Sequence, residues 1–187
     1  MDAPAPEVDR GEVALPDQQR AALTWVAEDF DALVGGTRVD ELGRPTQGTR
    51  WTNEQLLFHM WFGQRIARAF VPMLGGFSRL PPRASVGWSH LLGALTRPYD
   101  WVNFAAPVAG TRVVPLRRVR QWMHQDTDWL VGWGDRASTE ELARGMTVPV
   151  SWDPYFIPWM SRLDVLEWAP KHYRHHRAQL TLDATRD

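Results

Sequence analysis

The chain contains no cysteine. Disulfide bonds, thiolate metal ligands and a cysteine nucleophile are therefore excluded. No run of apolar residues reaches the ~18 that a membrane-spanning helix requires. The opening segment, MDAPAPEVDRGEVALPD, has neither a basic start nor an apolar stretch, which argues against a signal peptide. We therefore expect a cytoplasmic protein.

An excess of charge of either sign is also missing. The 21 basic and 22 acidic residues are interspersed and give a formal net charge of -1. This balance provides no electrostatic footprint for nucleic acid or for an anionic membrane, so we expect a small-molecule partner. Lysine is almost absent, because Lys171 is the only one and the other basic residues are arginine. Such a bias is compatible with a GC-rich genome.

Tryptophan, by contrast, is abundant, with 11 residues in a chain of 187. A Trp-rich core and an aromatic-lined pocket are both compatible with this number. The length predicts one domain. Residues 1–16 are rich in proline and acidic residues and predict a flexible N-terminal segment, followed by a single domain over residues 17–187.

The helical repeat of apolar residues predicts four long helices. Thr52, followed three residues later by Gln55, matches a capping box at the start of the second helix. The long helices are predicted from Asp17 to Gly36, from Thr52 to Gly76, from Pro115 onward, and from about Ser161 to Leu182.

The remaining segments are shorter or irregular. Residues 85–95 and the residues after Ser138 predict short helices, whereas residues 103–115 and the aromatic, proline-rich residues 146–160 predict loops. No strand pair and no internal repeat is predicted. The expected fold class is all-α, a four-helix bundle with an extra short helix and long connecting loops.

Three of the six histidines fall within five residues near the C-terminus: His172, His175 and His176. Residues at i and i+4 share one face of a helix, so His172 and His176 form the best metal-binding pair, with His172 and His175 as the alternative. A bundle can supply a third ligand from a facing helix, and His59, in the apolar context LLFHMWF, is suited to this. Hydrogen-bonded core histidines and a solvated helix end remain the structural alternatives. Two further histidines lack such partners and are interpreted as structural: His90 and His124.

Two segments, GTRWTNEQLLFHMW (residues 48–61) and HYRHHRAQL (residues 172–180), resemble motifs of the DinB-like superfamily of metal-binding four-helix bundles. The first matches a Trp-Ser/Thr helix start followed by a histidine, and the second matches a terminal HxxxH. The resemblance implies a metal site made of His59, His172 and His176, with zinc or nickel as the usual ion and open coordination positions. It also places His175 and Gln179 next to the ligands, to orient one of them or to contact substrate. A homodimer is compatible with this family.

The resemblance further implies an enzyme that uses a low-molecular-weight thiol, of the mycothiol type, for transfer or isomerisation on a small molecule. The metal would activate the thiol. Trp51, Trp61 and Trp168 are near the predicted ligands in sequence and could line the site. An arginine such as Arg174 or Arg177 could hold a carboxylate of the substrate.

Two other functions stay open at this point. A metal-dependent hydrolase that uses metal-bound water would need a carboxylate as general base, for which Asp126, Asp128 and Asp164 are present on predicted helices. A non-catalytic bundle that binds a small ligand is the third interpretation. In each case the loop over residues 146–160 is expected to shape specificity.

Overall fold

The computed structural model describes residues 15–183. The prediction of a flexible segment over residues 1–16 falls mostly outside this range. Its last two residues are within it: Leu15 is only 2% exposed, and Pro16 precedes the first helix. No helix in the part of the chain that the structure describes is long and apolar enough to cross a membrane.

The fold is all-α, as predicted, with eight helices and two short strands over the described residues. The helices are α1 (Asp17–Gly36), α2 (Val39–Leu42), α3 (Asn53–Phe77), α4 (Pro82–Ala94), α5 (Thr96–Val113), α6 (Leu116–Gly134), α7 (Thr139–Ala143) and α8 (Arg162–Arg177). The strands are β1 (Gly145–Thr147) and β2 (Trp159–Ser161).

Four helices form the bundle. They are α1, α3, α6 and α8: α3 packs against α8 and α6, and α1 packs against α6 and α8. α5 packs on the outside of α3, so α3 and α8 meet in the interior of the molecule. The buried side chains are large and apolar, and Phe30, Leu56, Met123 and Tyr173 are fully buried. Burial of this apolar surface is the main force that holds the helices together.

Capping boxes fix where the helices that carry the site begin. The Thr52 hydroxyl accepts a hydrogen bond from the Gln55 amide, and the Gln55 side chain accepts one from the Thr52 amide, which confirms the predicted start of α3. Ser161 and Asp164 form the same arrangement at the start of α8. Because these starts are fixed, the histidines further along each helix point in fixed directions.

The prediction of a loop over residues 103–115 is wrong. α5 continues through Pro107 to Val113 and packs on α3. At this contact a Cβ on Gly110 would lie 2.3 Å from the Phe58 ring, so glycine allows the two helices to approach. Pro107 and Gly110 are helix breakers and led to the prediction of a loop. Packing against α3 overrides this local propensity.

Two further expectations need correction. α8 ends at Arg177 rather than near Leu182, because the chain then turns so that the Thr181 amide donates to Asn53. The absence of strand pairs is also wrong for residues 145–161, since β1 pairs antiparallel with β2. This small sheet holds together the two ends of a segment that we call the aromatic loop, residues 148–158.

Candidate metal centre

The structure brings together the three histidines that the sequence singled out. His59 lies on α3, and His172 and His176 lie one turn apart on α8. One ring nitrogen from each lies within 4.8 Å of the others. His59 and His172 are only 4% and 6% exposed, and His176 is half-buried. Neutral imidazole nitrogens grouped in this way are typical ligands of divalent transition metals.

The hydrogen bonds select which nitrogens face the centre. His176 Nδ1 lies 2.7 Å from Gln179 Oε1, so Nδ1 carries the proton and donates a hydrogen bond to the amide oxygen. The lone pair of His176 is therefore on Nε2, which lies 3.2 Å from His59 Nε2. Two nitrogens that bind one tetrahedral ion at ~2.0–2.1 Å are roughly 3.3 Å apart. The donor set and this spacing fit a divalent ion.

The role of a satisfied core histidine does not fit His59. Its Nε2 faces only another histidine, and its Nδ1 is buried without a hydrogen-bond partner in the described part of the chain. Burial lowers the pKa of His59 to about 3, and the neighbouring His176 contributes to this shift. Burial also lowers the pKa of His176 to about 4, against the opposing effect of the hydrogen bond that His176 donates to Gln179. Burial likewise lowers the pKa of His172, so all three rings are neutral near pH 7 with lone pairs free to bind.

Gly63 positions the third ring. It lies one turn after His59 on α3, and a Cβ at this position would be 2.6 Å from His172 Nδ1. The imidazole of His172 therefore rests directly on the backbone of α3 through its Nδ1–Cε1 edge. The contact requires glycine because any larger residue would fill the space that the ring occupies.

The histidines open into a cavity of about 170 Å³. Trp51 stacks on His59 with ring centroids 4.5 Å apart, and Trp168 packs against His172 at 4.9 Å. Trp152 of the aromatic loop stacks on Tyr99 of α5 at 4.0 Å and 5°, which closes another side. The described lining contains no lysine or arginine. The walls are thus mainly aromatic, which corresponds to one of the two interpretations of the high tryptophan content, and charged groups are scarce.

The aromatic loop also brings a carboxylate that sequence reasoning missed. Asp153 lines the cavity, its side chain is 10% exposed, and its Oδ2 lies 3.8 Å from His172 Nε2. Its Oδ1 accepts a hydrogen bond from the Tyr155 amide at 2.8 Å. Burial raises the pKa of Asp153, against the hydrogen bond from Tyr155. No spacing in the sequence relates a loop aspartate to histidines about twenty residues away, so the sequence carried no signal for it.

The two residues predicted to flank the ligands occupy different environments. Gln179 orients His176 by accepting a hydrogen bond from its Nδ1–H group. His175 is exposed, lies at the mouth of the cavity and pairs with Tyr155, whose hydroxyl is 3.3 Å from His175 Nδ1. His175 therefore links α8 to the aromatic loop.

Several residues proposed from the sequence lie elsewhere. Trp51 and Trp168 line the cavity but Trp61 does not, because it is two residues from His59 and so on the other side of α3. The Trp61 indole donates to Asp126 at 3.0 Å. Arg174 and Arg177 face α1 instead of the cavity, over the ring of Trp25 and beside Asp29 respectively.

The three carboxylates considered as general bases are also away from the histidines. Asp126 is fully buried between α3 and α6, where Arg65 and Arg68 each approach it within 2.9 Å. Asp164 caps α8, and Asp128 is exposed on α6 beside a groove that faces α1.

The two histidines interpreted as structural lie apart from the cluster. His124 on α6 pairs with Asp31 at 2.9 Å, and His90 on α4 is exposed. Neither lines the cavity.

Comparison with known families agrees with the fold. The model of the DinB superfamily matches residues 22–180, which is most of the chain. The protein therefore belongs to the DinB superfamily, as its two motifs indicated. No curated protein and no solved structure gives a significant match.

Proposed function

We propose that the protein is an enzyme that binds one divalent metal ion, zinc or nickel, through His59, His172 and His176. The observation that carries the proposal is the convergence of three neutral imidazoles from two helices on an aromatic cavity. Three neutral ligands leave the charge of the ion uncompensated and leave at least one coordination position for a ligand. When bound, such an ion acts as a Lewis acid that lowers the pKa of a thiol or of water.

We further propose that the ligand activated at this centre is a low-molecular-weight thiol, used for transfer to a small electrophile or for isomerisation. The chain has no cysteine, so a reaction that needs sulfur must take it from a cosubstrate. An apolar cavity of about 150 Å³ holds a benzene molecule, so 170 Å³ admits only a few non-hydrogen atoms of each reactant. The thiol end of a molecule such as mycothiol would enter, and the remainder would stay at the mouth near Tyr155.

The chain's own residues would then hold and shield the reacting group. Trp51 and Trp168 cover the rings of His59 and His172, which keeps water from the histidines. Gln179 holds His176 in the tautomer whose Nε2 faces the centre. Since the described lining has no lysine or arginine, a carboxylate of the substrate would have to interact with the ion itself, with a histidine or with solvent outside the cavity.

The experiment is a thiol-transfer assay with zinc- or nickel-loaded protein, mycothiol as the thiol and 1-chloro-2,4-dinitrobenzene as a chromogenic electrophile. Cysteine and glutathione serve as comparison thiols. We expect a metal-dependent rate above the uncatalysed one, lost in His176→Ala and retained in His124→Ala. His124 is a suitable control because it is partly exposed, pairs with Asp31 and lies outside the cavity.

Absence of catalysis with every thiol, in protein that holds the metal, would contradict the thiol chemistry. Hydrolysis or simple ligand binding at the same centre would then be favoured. Homodimerisation and a cytoplasmic location stay predictions, and light scattering of the purified protein tests the first.

A further inference from the structure

The aromatic loop places one acidic group at the metal centre with little freedom to move. Trp152, on one side of Asp153, is stacked on Tyr99. Phe156, on the other side, is buried and packs edge-on against Trp168 with centroids 5.3 Å apart. The Phe156 amide also donates to the Asp153 carbonyl at 3.1 Å, which closes a turn. The backbone that carries Asp153 is thus anchored on both sides.

The two carboxylate oxygens of Asp153 have different surroundings. Oδ1 accepts from the Tyr155 amide, the local turn that aspartate commonly makes with the residue two positions on. Oδ2 is the oxygen nearest His172 Nε2. At 3.8 Å the two atoms are beyond hydrogen-bond range, so neither satisfies the other.

The same distances argue against Asp153 as a fourth protein ligand. Among the described residues, the ligand atoms of His59, His172 and His176 all lie within 4.8 Å of one another. Asp153 is not part of this group. Asp153 is close to His172 but not to the whole set. Its Oδ2 therefore adjoins the centre on the His172 side, where it can reach a ligand that arrives from the cavity.

We propose that Asp153 is the proton acceptor of the site, a role that rests on the proposed function. The S–H proton of the incoming thiol would pass to Asp153 Oδ2, and the electron pair of that bond would stay on the sulfur, so that a thiolate would be available to an ion held by the three histidines. Asp153 carries the proton while the sulfur reacts. The charge balances without a further reactant, because the negative charge moves from the carboxylate to the sulfur.

The substitution that tests this role is Asp153→Asn. Asparagine has the same shape and its Oδ1 can still accept from the Tyr155 amide, so the loop keeps its turn, but the amide cannot take up a proton. The matched control is Asp128→Asn, an exposed carboxylate on α6 outside the cavity. Thermal unfolding of both variants confirms that each is folded.

The assay uses the cobalt-loaded protein and two probes. 2-Mercaptoethanol must lose a proton to bind, and its binding is followed by a sulfur-to-cobalt charge-transfer band. Azide is already an anion near pH 7 and needs no acceptor. In Asp153→Asn we expect one equivalent of cobalt, binding of 2-mercaptoethanol weakened at least about tenfold, and azide binding unchanged or tighter. Asp128→Asn should match the wild type with both probes.

Each other outcome overturns the assignment. Loss of cobalt in Asp153→Asn would make Asp153 a metal ligand. Equally weakened binding of 2-mercaptoethanol and azide would make it a structural residue. Unchanged binding of both probes would show that it has no role in proton transfer. A wild-type protein that binds cobalt and azide but not the thiol would contradict the thiol chemistry and this role together. Wild-type protein that takes up no cobalt would contradict the metal centre itself.

Discussion

Replacement of Gly63 by alanine should remove His172 from the metal centre. The added Cβ would lie 2.6 Å from His172 Nδ1 and 2.7 Å from Cε1, whereas ordinary contacts begin at 3.4 Å. The imidazole must therefore move by about 0.8 Å. Metal–ligand distances in a well-formed site vary by only ~0.2 Å, so the displaced ring cannot keep its place. We expect the affinity for zinc to fall by at least about 10–100-fold, the loss seen when even an orienting residue is removed.

The effect on folding should be much smaller. Alanine in a helix is favoured over glycine by about 1 kcal/mol, while overpacking at the ring costs about 1–3 kcal/mol. The free energy of unfolding of the metal-free protein should therefore change by about 2 kcal/mol or less. Gly76→Ala, in the same helix, is the matched control because a Cβ at that position would meet nothing within 4 Å.

Zinc affinity is measured by competition with a chromogenic chelator, and stability by urea denaturation of the metal-free variants. Wild-type zinc affinity in Gly63→Ala, with the protein folded, would refute the assignment of His172 as a ligand. Reduced affinity in Gly76→Ala as well would show that substitutions in α3 act on the site generally, and not through the contact with His172.

Neighbouring contacts give three more predictions. Gln179→Leu should weaken zinc binding about tenfold in the same chelator assay, because His176 loses the acceptor that fixes its tautomer; an unchanged affinity would contradict this orienting role. Asp126→Asn should lower the free energy of unfolding by about 2 kcal/mol, since the partly exposed Arg65 and Arg68 lose the charge of their buried partner, while zinc binding stays intact; urea denaturation with wild-type stability would count against it. The metal-free protein should lose stability as pH falls from 7 to 5. In the unfolded chain the histidines have a pKa of 6.5 and bind protons in this range, whereas in the folded protein His59, with a pKa of about 3, and His176, with a pKa of about 4, stay neutral. Each buried histidine contributes a slope of about 1.4 kcal/mol per pH unit below 6.5, and urea denaturation at several pH values that gives a flat profile would exclude the buried neutral state.

The sequence was sufficient to single out three histidines that the structure brings together, because spacing on a helix is a local property. His172 and His176 are one turn apart, and Thr52 with Gln55 sets where α3 begins and hence where His59 points. The same geometry explains the error on Trp61, which is two residues from His59 and therefore faces Asp126 on the other side of the helix. Proximity along the chain was a poor guide to proximity in space.

The parts that the sequence did not predict depend on long-range packing. α5 contains Pro107 and has the local pattern of a loop, yet it forms a helix because Gly110 allows close contact with Phe58. Asp153 lies in an irregular segment, so no periodicity relates it to His172. Its position depends on the stacking of Trp152 on Tyr99, a contact between residues more than fifty positions apart. Local rules thus predicted the cluster of three histidines, but not the aromatic loop that closes the cavity or the position of Asp153.

The most direct test of the metal centre is elemental analysis of the purified protein and of His59→Ala, His172→Ala and His124→Ala. We expect one equivalent of a transition metal in the wild type and in His124→Ala, and loss of the metal in the other two variants. This result would show that α3 and α8 both contribute ligands to one site. Wild-type protein that is metal-free, and stays so after incubation with zinc and nickel, would contradict the metal centre and the chemistry proposed for it.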